Sequence, residues 1–310
     1  MRVGFFGTPH IAATILEELV SEFDVAFLVA PEDKECGRNR KITVCPTKEF
    51  AECHQIPVLQ PDKLNDESFI SEIKKFDADI FVVVAYGKII PRSVFDMPRL
   101  GTINFHPSML PKYRGAAPVQ WSVINGDLKT GITVQRINER LDSGDIILQK
   151  EVPVDGDITS GDLFDMVVPM GAGLVIEAIK KLDSGEAKPV VQDESEATYC
   201  GKIDRDIAHV DWTLDSDTIH NLIRGLNPKP VAWTTFREAN MKIWASLIPD
   251  DAEDVSLEPG ELLKFGKKRL FVGTGEGILE IVKLQPENKK AMDALAFLNG
   301  SRLEMGEFFR

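Results

Sequence analysis

The chain is short of cysteine, of positive charge and of long apolar runs, and each shortage removes a class of protein. Its 310 residues hold four cysteines, Cys36, Cys45, Cys53 and Cys200, none in Cys-x-x-Cys spacing. Such thiols are expected to be reduced and structural or incidental, rather than a disulfide framework or zinc site, and no metal is expected. No stretch approaches the roughly 18 apolar residues of a membrane-spanning helix, so no membrane association is expected. Lys and Arg number 36 against 49 Asp and Glu, a formal net charge of −13. That balance argues against a protein that coats nucleic acid without specificity. The deficit is uneven: residues 208–310 hold 13 Lys and Arg against 16 Asp and Glu, leaving 23 against 33 for residues 1–207. A local basic face is compatible with these numbers. Gly-x-Gly-x-x-Gly is also missing. Gly4-x-x-Gly7-Thr8-Pro9 follows the first apolar segment instead, so a nicotinamide cofactor is not expected, Gly7 reads as a tight turn and Thr8 as a helix cap.

The length suits two domains, and 43% hydrophobic residues are enough to bury real cores. Met1-Arg2-Val3-Gly4-Phe5-Phe6-Gly7 enters a strand at once, so no signal or transit peptide is expected and the cytoplasm is the expected compartment. To about residue 183 strands and helices alternate: Val3–Phe6, Ile11–Val20, Val25–Val29, Glu49–Cys53, Ser68–Lys75, Ile80–Ala85, Thr102–His106, Val119–Ile124, Ile132–Ile137 and Leu163–Leu182. This α/β pattern predicts a mostly parallel sheet covered by helices, with the doubly apolar Phe81–Val84 in its centre. Ser184–Asp206 is polar, without helical period, and reads as a linker. Beyond it a helix-like segment runs from Val210 to Arg224. Short strands then recur at Ala232–Phe236, Met241–Ser246, Gly260–Phe265, Arg269–Val272 and Ile278–Leu284, separated by Gly and Pro turns. That spacing predicts a small barrel of OB-like topology.

The densest chemistry lies in Thr102-Ile103-Asn104-Phe105-His106-Pro107. Alternation along a strand turns Thr102, Asn104 and His106 to one face, the last two roughly 6–7 Å apart. Pro107 ends the strand, and in open α/β sheets chemistry sits at such carboxyl ends. An amide donor beside an imidazole makes a compact acyl-transfer site. An imidazole that handles protons needs a carboxylate partner, which the acidic turn Leu141-Asp142-Ser143-Gly144-Asp145 offers twice, and spacing does not choose between Asp142 and Asp145. Basic clusters at Lys34 with Arg38-Asn39-Arg40-Lys41, and at Lys289-Lys290, mark places where a polyanion can dock on an acidic chain.

Several blocks resemble the methionyl-tRNA formyltransferases, a branch of the folate-dependent formyltransferases. In the first domain these are Phe-Phe-Gly-Thr-Pro (5–9), Val-Val-Val-Ala-Tyr-Gly (82–87), Asn104-x-His106 with Ser108-Met109-Leu110-Pro111, Arg-Gly-Ala-Ala-Pro (114–118) and Leu-Asp-Ser-Gly-Asp (141–145). Glycinamide ribonucleotide and amino-sugar formyltransferases share the Asn, His and Asp. The second domain narrows the resemblance through Asp211-Trp212, Asn227-Pro228-x-Pro230, Lys242-x-Trp244, Gly-Thr-Gly-Glu-Gly (273–277) and Leu-Gln-Pro-Glu-Asn-Lys-Lys-Ala-Met (284–292).

The resemblance implies a Rossmann-like, mostly parallel sheet with helices on both faces over residues 1–205, linker included, and an OB-like, tRNA-binding β-barrel over 206–310. It implies formyl transfer from 10-formyltetrahydrofolate to the α-amino group of methionyl-initiator tRNA, with Asn104, His106 and Asp142 catalytic. Val84, Tyr86, Gly87, Ile89, Ser108, Met109, Leu110 and Pro111 are the expected folate contacts, Met109 standing where the family has Leu. Arg38, Arg40, Lys41, Lys289 and Lys290 are the expected tRNA contacts. The basic loop resembles Lys34–Ile42, although Cys36 and Asn39 replace the usual Ala and Gly. A monomer is the default expectation.

Overall fold

The computed structural model describes residues 1–310 except 37–40, 253–254 and 267. The chain begins β1 (Arg2–Gly7), α1 (His10–Glu22), β2 (Asp24–Val29), β3 (Lys34–Cys36), β4 (Lys41–Thr43), α2 (Pro46–Cys53), β5 (Val58–Leu59), α3 (Glu67–Lys74) and β6 (Ile80–Val84). Next come α4 (Arg92–Phe95), β7 (Thr102–His106), β8 (Arg114–Gly115), α5 (Pro118–Ile124), β9 (Lys129–Arg136), β10 (Ile146–Pro153), α6 (Ser160–Ser184) and β11 (Tyr199–Cys200). The remainder is α7 (Ser216–Gly225), β12 (Ala232–Phe236), β13 (Ala239–Leu247), β14 (Leu262–Phe265), β15 (Arg269–Gly273), β16 (Ile278–Pro286), β17 (Met292–Asp293) and α8 (Ala294–Ser301). Two compact units result. The first comprises Met1–Gly115, Gly131–Val152 and Asp165–Tyr199, and the second Ala116–Thr130, Pro153–Phe164 and Cys200–Arg310.

The first unit is built on a seven-stranded sheet in the order β10-β9-β7-β6-β1-β2-β5. Strands β5, β2, β1, β6 and β7 run parallel, and β9 returns antiparallel to β7. Every residue of β6 is buried, as the doubly apolar run Ile80–Val84 requires of a central strand. Phe69 and Ile73, one helical turn apart on α3, pack with Val94 and Phe95 of α4 against Phe6, Phe27, Phe81 and Val83 of the sheet. Each such buried aromatic or aliphatic side chain contributes roughly 1.5–3 kcal/mol relative to exposure. Val83 pairs with Asn104, so Phe105 lies on the opposite face, where α6 approaches so closely that a Cβ on Gly171 would meet its ring. Helices therefore cover both faces. A β3–β4 hairpin, with Cys36 opposite Lys41, stands where the sequence reads as a basic loop.

The order of strands reverses between β1 and β6: the chain moves from β1 out to β2 and β5, then returns to the other side of β1. Ligands of open parallel sheets bind at the carboxyl ends of strands beside such a reversal. β7, which ends in Asn104-Phe105-His106, is the next strand over.

In the second unit β12-β13-β16-β15-β14 form an antiparallel sheet, with β17 paired to β16. The chain end bridges its two outer strands. Phe309 pairs with Phe236 at the end of β12 and Phe308 with Glu261 ahead of β14, which closes the sheet into a small barrel. Trp212, Phe236, Leu270 and Phe309 lie in its core, and Trp212 Nε1 donates to Thr234 Oγ1 at 2.9 Å. The helix-like reading of Val210–Arg224 is corrected at its start. Val210 N–H donates to Trp233 O in strand fashion, and α7 begins only at Ser216, because Asp215 accepts from the Thr218 N–H and caps it.

Candidate active site

Two neighbouring strands supply the polar face of the site. β7 and β9 pair Asn104 with Gln135 and His106 with Thr133, so all four side chains stand on one face of the sheet. Thr133 is fully buried and fixes the turn that follows His106. Its hydroxyl donates to Ser108 O at 2.7 Å and accepts from Leu110 N–H at 3.2 Å and Gln149 Nε2 at 2.9 Å. Gln149 Nε2 also donates to Leu110 O at 2.7 Å.

His106 is 4% exposed, and its Nε2 lies 2.9 Å from Tyr113 O. A carbonyl only accepts, so Nε2 carries the proton and Nδ1 is the atom left for chemistry. Asp142 Oδ2 faces that Nδ1 at 3.8 Å. The gap is too long for a direct hydrogen bond. The Asp142 carboxylate is itself held at both oxygens: Oδ2 accepts from Gly115 N–H at 2.9 Å and Oδ1 from Gln135 Nε2 at 3.1 Å. Asp145 contributes its backbone carbonyl to Arg136 N–H at 2.9 Å instead. Asn104 differs from its neighbours. It is half-buried and, among the described residues, its side-chain amide makes no hydrogen bond.

The expected folate contacts occupy the same edge of the sheet in unequal states of exposure. Val84, Tyr86, Ser108 and Leu110 are buried, Met109 and Pro111 half-buried, Gly87 exposed and Ile89 93% exposed. The Ser108 hydroxyl is committed to Lys112 O at 2.7 Å, which leaves it a turn former. Tyr86 Oη is buried without a partner, and burial pushes its pKa up to about 12, so it stays a neutral phenol. An idle Asn104 amide, half-buried Met109 and Pro111, and open space beside Gly87 leave both polar and apolar groups accessible at this edge. Among the described residues no group of three or more His, Cys, Asp and Glu is arranged to hold a metal ion, and no helix is long and apolar enough to cross a membrane. Cys45, Cys53 and Cys200 form no disulfide. Lys289 and Lys290 are exposed in the turn after β16, Lys41 belongs to the β3–β4 hairpin, and Arg38 and Arg40 lie outside the described residues.

Residues that sequence reading did not single out stand directly behind Asp142. Gln135 is 2% exposed, Gln192 5% and Arg114 1%. Gln192 comes from the polar stretch expected to be a linker. Its Nε2 donates to the carbonyls of Asp142 and Gly144 at 2.9 and 2.7 Å. Arg114 sits in the Arg-Gly-Ala-Ala-Pro block, where its burial has no local signal. Alternation along Gly131–Arg136 places Thr133 and Gln135 on one face, but the register that sets them beside His106 and Asn104 is a long-range fact.

The chain resembles known proteins over its whole length. Residues 1–179 match the formyl transferase family model and residues 202–302 that of the formyl transferase C-terminal domain. The chain is 43% identical over 310 residues to methionyl-tRNA formyltransferase of Agathobacter rectalis, covering 100% of this chain and 99% of that protein. It is 39% identical over 311 residues to the Clostridium perfringens strain 13 protein of the same name, covering 100% of both. Among solved structures, the sugar 3N-formyltransferase WlaRD has a TM-score of 0.67 at 21% identity over 94% of this chain and 99% of that one. HypX from Aquifex aeolicus with tetrahydrofolic acid has a TM-score of 0.64 at 17% identity over 100% of this chain and 50% of that one. At such identities the likeness concerns the fold. The full-length matches at about 40% identity place the chain in the formyl transferase family, on its methionyl-tRNA formyltransferase branch.

Proposed function

We propose that this enzyme moves the formyl group of 10-formyltetrahydrofolate onto the α-amino group of methionine carried by initiator tRNA, with Asn104, His106 and Asp142 as its catalytic residues. The observation that carries the reading is the unpaired Asn104 amide next to His106 at the carboxyl edge of the sheet. Attack of a neutral amine on the formyl carbon places negative charge on the formyl oxygen, and a preorganised donor is worth most there. Asn104 Nδ2 supplies that donor. His106 presents Nδ1, because Nε2–H is spent on Tyr113 O, and a proton on Nδ1 is balanced by Asp142 at 3.8 Å. Asp142 takes the proton released by the amine as the new C–N bond forms, and returns it to the folate nitrogen as the bond between that nitrogen and the formyl carbon breaks. The curated relatives' name supports methionyl-tRNA as acceptor, and tetrahydrofolic acid in the HypX complex supports a folate donor.

In the same reading residues 1–205 carry folate and catalysis, and residues 206–310 carry tRNA. The pteridine lies against Val84, Tyr86, Gly87 and Ile89 and the turn Ser108–Pro111. Arg38, Arg40 and Lys41 hold the acceptor end, and Lys289 and Lys290 grip phosphate, contacts that position rather than specify. The deciding experiment supplies labelled 10-formyltetrahydrofolate with charged initiator tRNA, charged elongator tRNA and UDP-amino sugar as competing acceptors. Label on methionyl-initiator tRNA is the expected result, and label on the sugar alone overturns the reading. Arg38→Ala with Lys41→Ala should also flatten the dependence of log Kd on log salt, by about 0.7–0.9 for each phosphate no longer neutralised.

A further inference from the structure

We propose that Gln192, clamped by Arg114, is the positioning residue for the Asp142 carboxylate. The proposal rests on the catalytic reading of Asp142. Arg114 has five N–H groups and no acceptor, and all five are used. Nε and Nη2 donate to Gln192 Oε1 at 3.0 and 2.8 Å, Nη1 and Nη2 to Glu194 at 3.1 and 3.0 Å, and Nη1 also to Tyr199 Oη at 3.3 Å. Because a guanidinium only donates, the oxygen of the Gln192 amide must face it. The Gln192 Nε2 therefore points the other way, to Asp142 O at 2.9 Å, Gly144 O at 2.7 Å and Gln135 Oε1 at 3.2 Å.

Gln135 inherits its orientation in the same manner. Its Oε1 accepts from Gln192 Nε2 and from Gly144 N–H at 3.2 Å, which leaves Nε2 to donate to Asp142 Oδ1 at 3.1 Å. Every link is directed: guanidinium to amide oxygen, amide nitrogen to amide oxygen, amide nitrogen to carboxylate. Neither amide can flip without setting oxygen against oxygen or N–H against N–H. The clamp also holds backbone. Asp142 sits in the left-handed region at φ 47°, and its carbonyl and that of Gly144 are the two that Gln192 binds. At Gly144 a Cβ would collide with the Arg136 carbonyl, so no side chain fits under this turn. A carboxylate that must face an imidazole across 3.8 Å is thus fixed by one side-chain donor, Gln135 Nε2, on one oxygen and by a backbone N–H on the other.

Gln192→Glu tests this, since glutamate keeps the shape and the Arg114 contact but sets an oxygen against the Asp142 and Gly144 carbonyls. The expected result is a fall in kcat of about 100-fold, the scale of a 1 Å misplacement, with KM for the formyl donor little changed. Gln192→Met, which removes the donors without adding charge, gives the same readout should the glutamate variant not fold. Each is combined with Asp142→Asn in a double-mutant cycle. If Gln192 acts through Asp142, the double variant is no slower than Asp142→Asn alone. A Gln192 variant with wild-type kcat, or a loss that multiplies in full onto Asp142→Asn, overturns the proposal while leaving Asp142 catalytic. An Asp142→Asn enzyme with wild-type kcat overturns the catalytic reading itself, and this proposal with it.

Discussion

Asn104 and Gln135 are cross-strand partners with the same terminal amide on the same face of the sheet, yet they live differently. Gln135 is 2% exposed and bonded at both ends of its amide, whereas Asn104 is half-buried and bonded at neither among the described residues. A buried polar group left unsatisfied costs about 1–3 kcal/mol, so an idle amide persists where a ligand can reach it and a saturated one where packing is tight. Under the proposed function the contrast divides the site into a reacting front, Asn104 with His106 Nδ1, and a supporting back, Gln135, Gln192 and Arg114. Asp142 lies between them, its side chain facing His106 and its backbone held by Gln192.

Changes at the front should be costly for turnover and mild for folding. His106→Ala is expected to lower kcat about 100- to 10,000-fold while the donor KM changes little, as steady-state kinetics with varied folate will show. Next in size is Gly144→Ala, which leaves Asn104 and His106 untouched but drives a methyl group into the Arg136 carbonyl. It should cost about 10- to 100-fold in kcat and about 1–3 kcal/mol of stability, read by denaturant unfolding. The second unit offers the converse. Thr234→Val strands the Trp212 Nε1–H, 4% exposed in the barrel core, and should cost about 1–2 kcal/mol in urea unfolding with kcat unchanged.

The smallest effect concerns pH. His220 on α7 is buried with Nδ1 3.0 Å from Ser246 Oγ. Burial and then the Arg224 guanidinium hold its pKa below the ordinary 6.5, outweighing the Gly156 backbone and the Asp157 and Asp217 carboxylates. The unfolded chain therefore binds the proton more readily than the folded one. Stability is fully present above about pH 6.5 and declines as pH falls below it toward the folded pKa. Thermal unfolding across pH 7.5 to 5 should show this slope in the parent and a shallower one in His220→Gln.

How much of this was legible beforehand follows from the range of the interactions. Thr102–His106 was readable to the residue, because alternation is local and Pro107 ends the strand. The barrel strands were readable within a few residues for the same reason, whereas its closure by Phe308 and Phe309 depends on partners about 50–70 positions away. Asp142 and Asp145 were equivalent by spacing, and only the folded turn aims one at His106. Arg114 and Gln192 are 78 residues apart, joined inside a stretch whose polar composition reads as a linker. Polar residues of a buried network look like surface residues until their partners are known.

Single-turnover formyl transfer by Asn104→Ala, measured alongside its Kd for a non-transferable folate analogue, tests the division between front and back most directly. The idle amide as oxyanion donor predicts a chemical step slower by about 100- to 1,000-fold with Kd little changed. A chemical step at the parent rate, with the loss appearing in Kd, contradicts it.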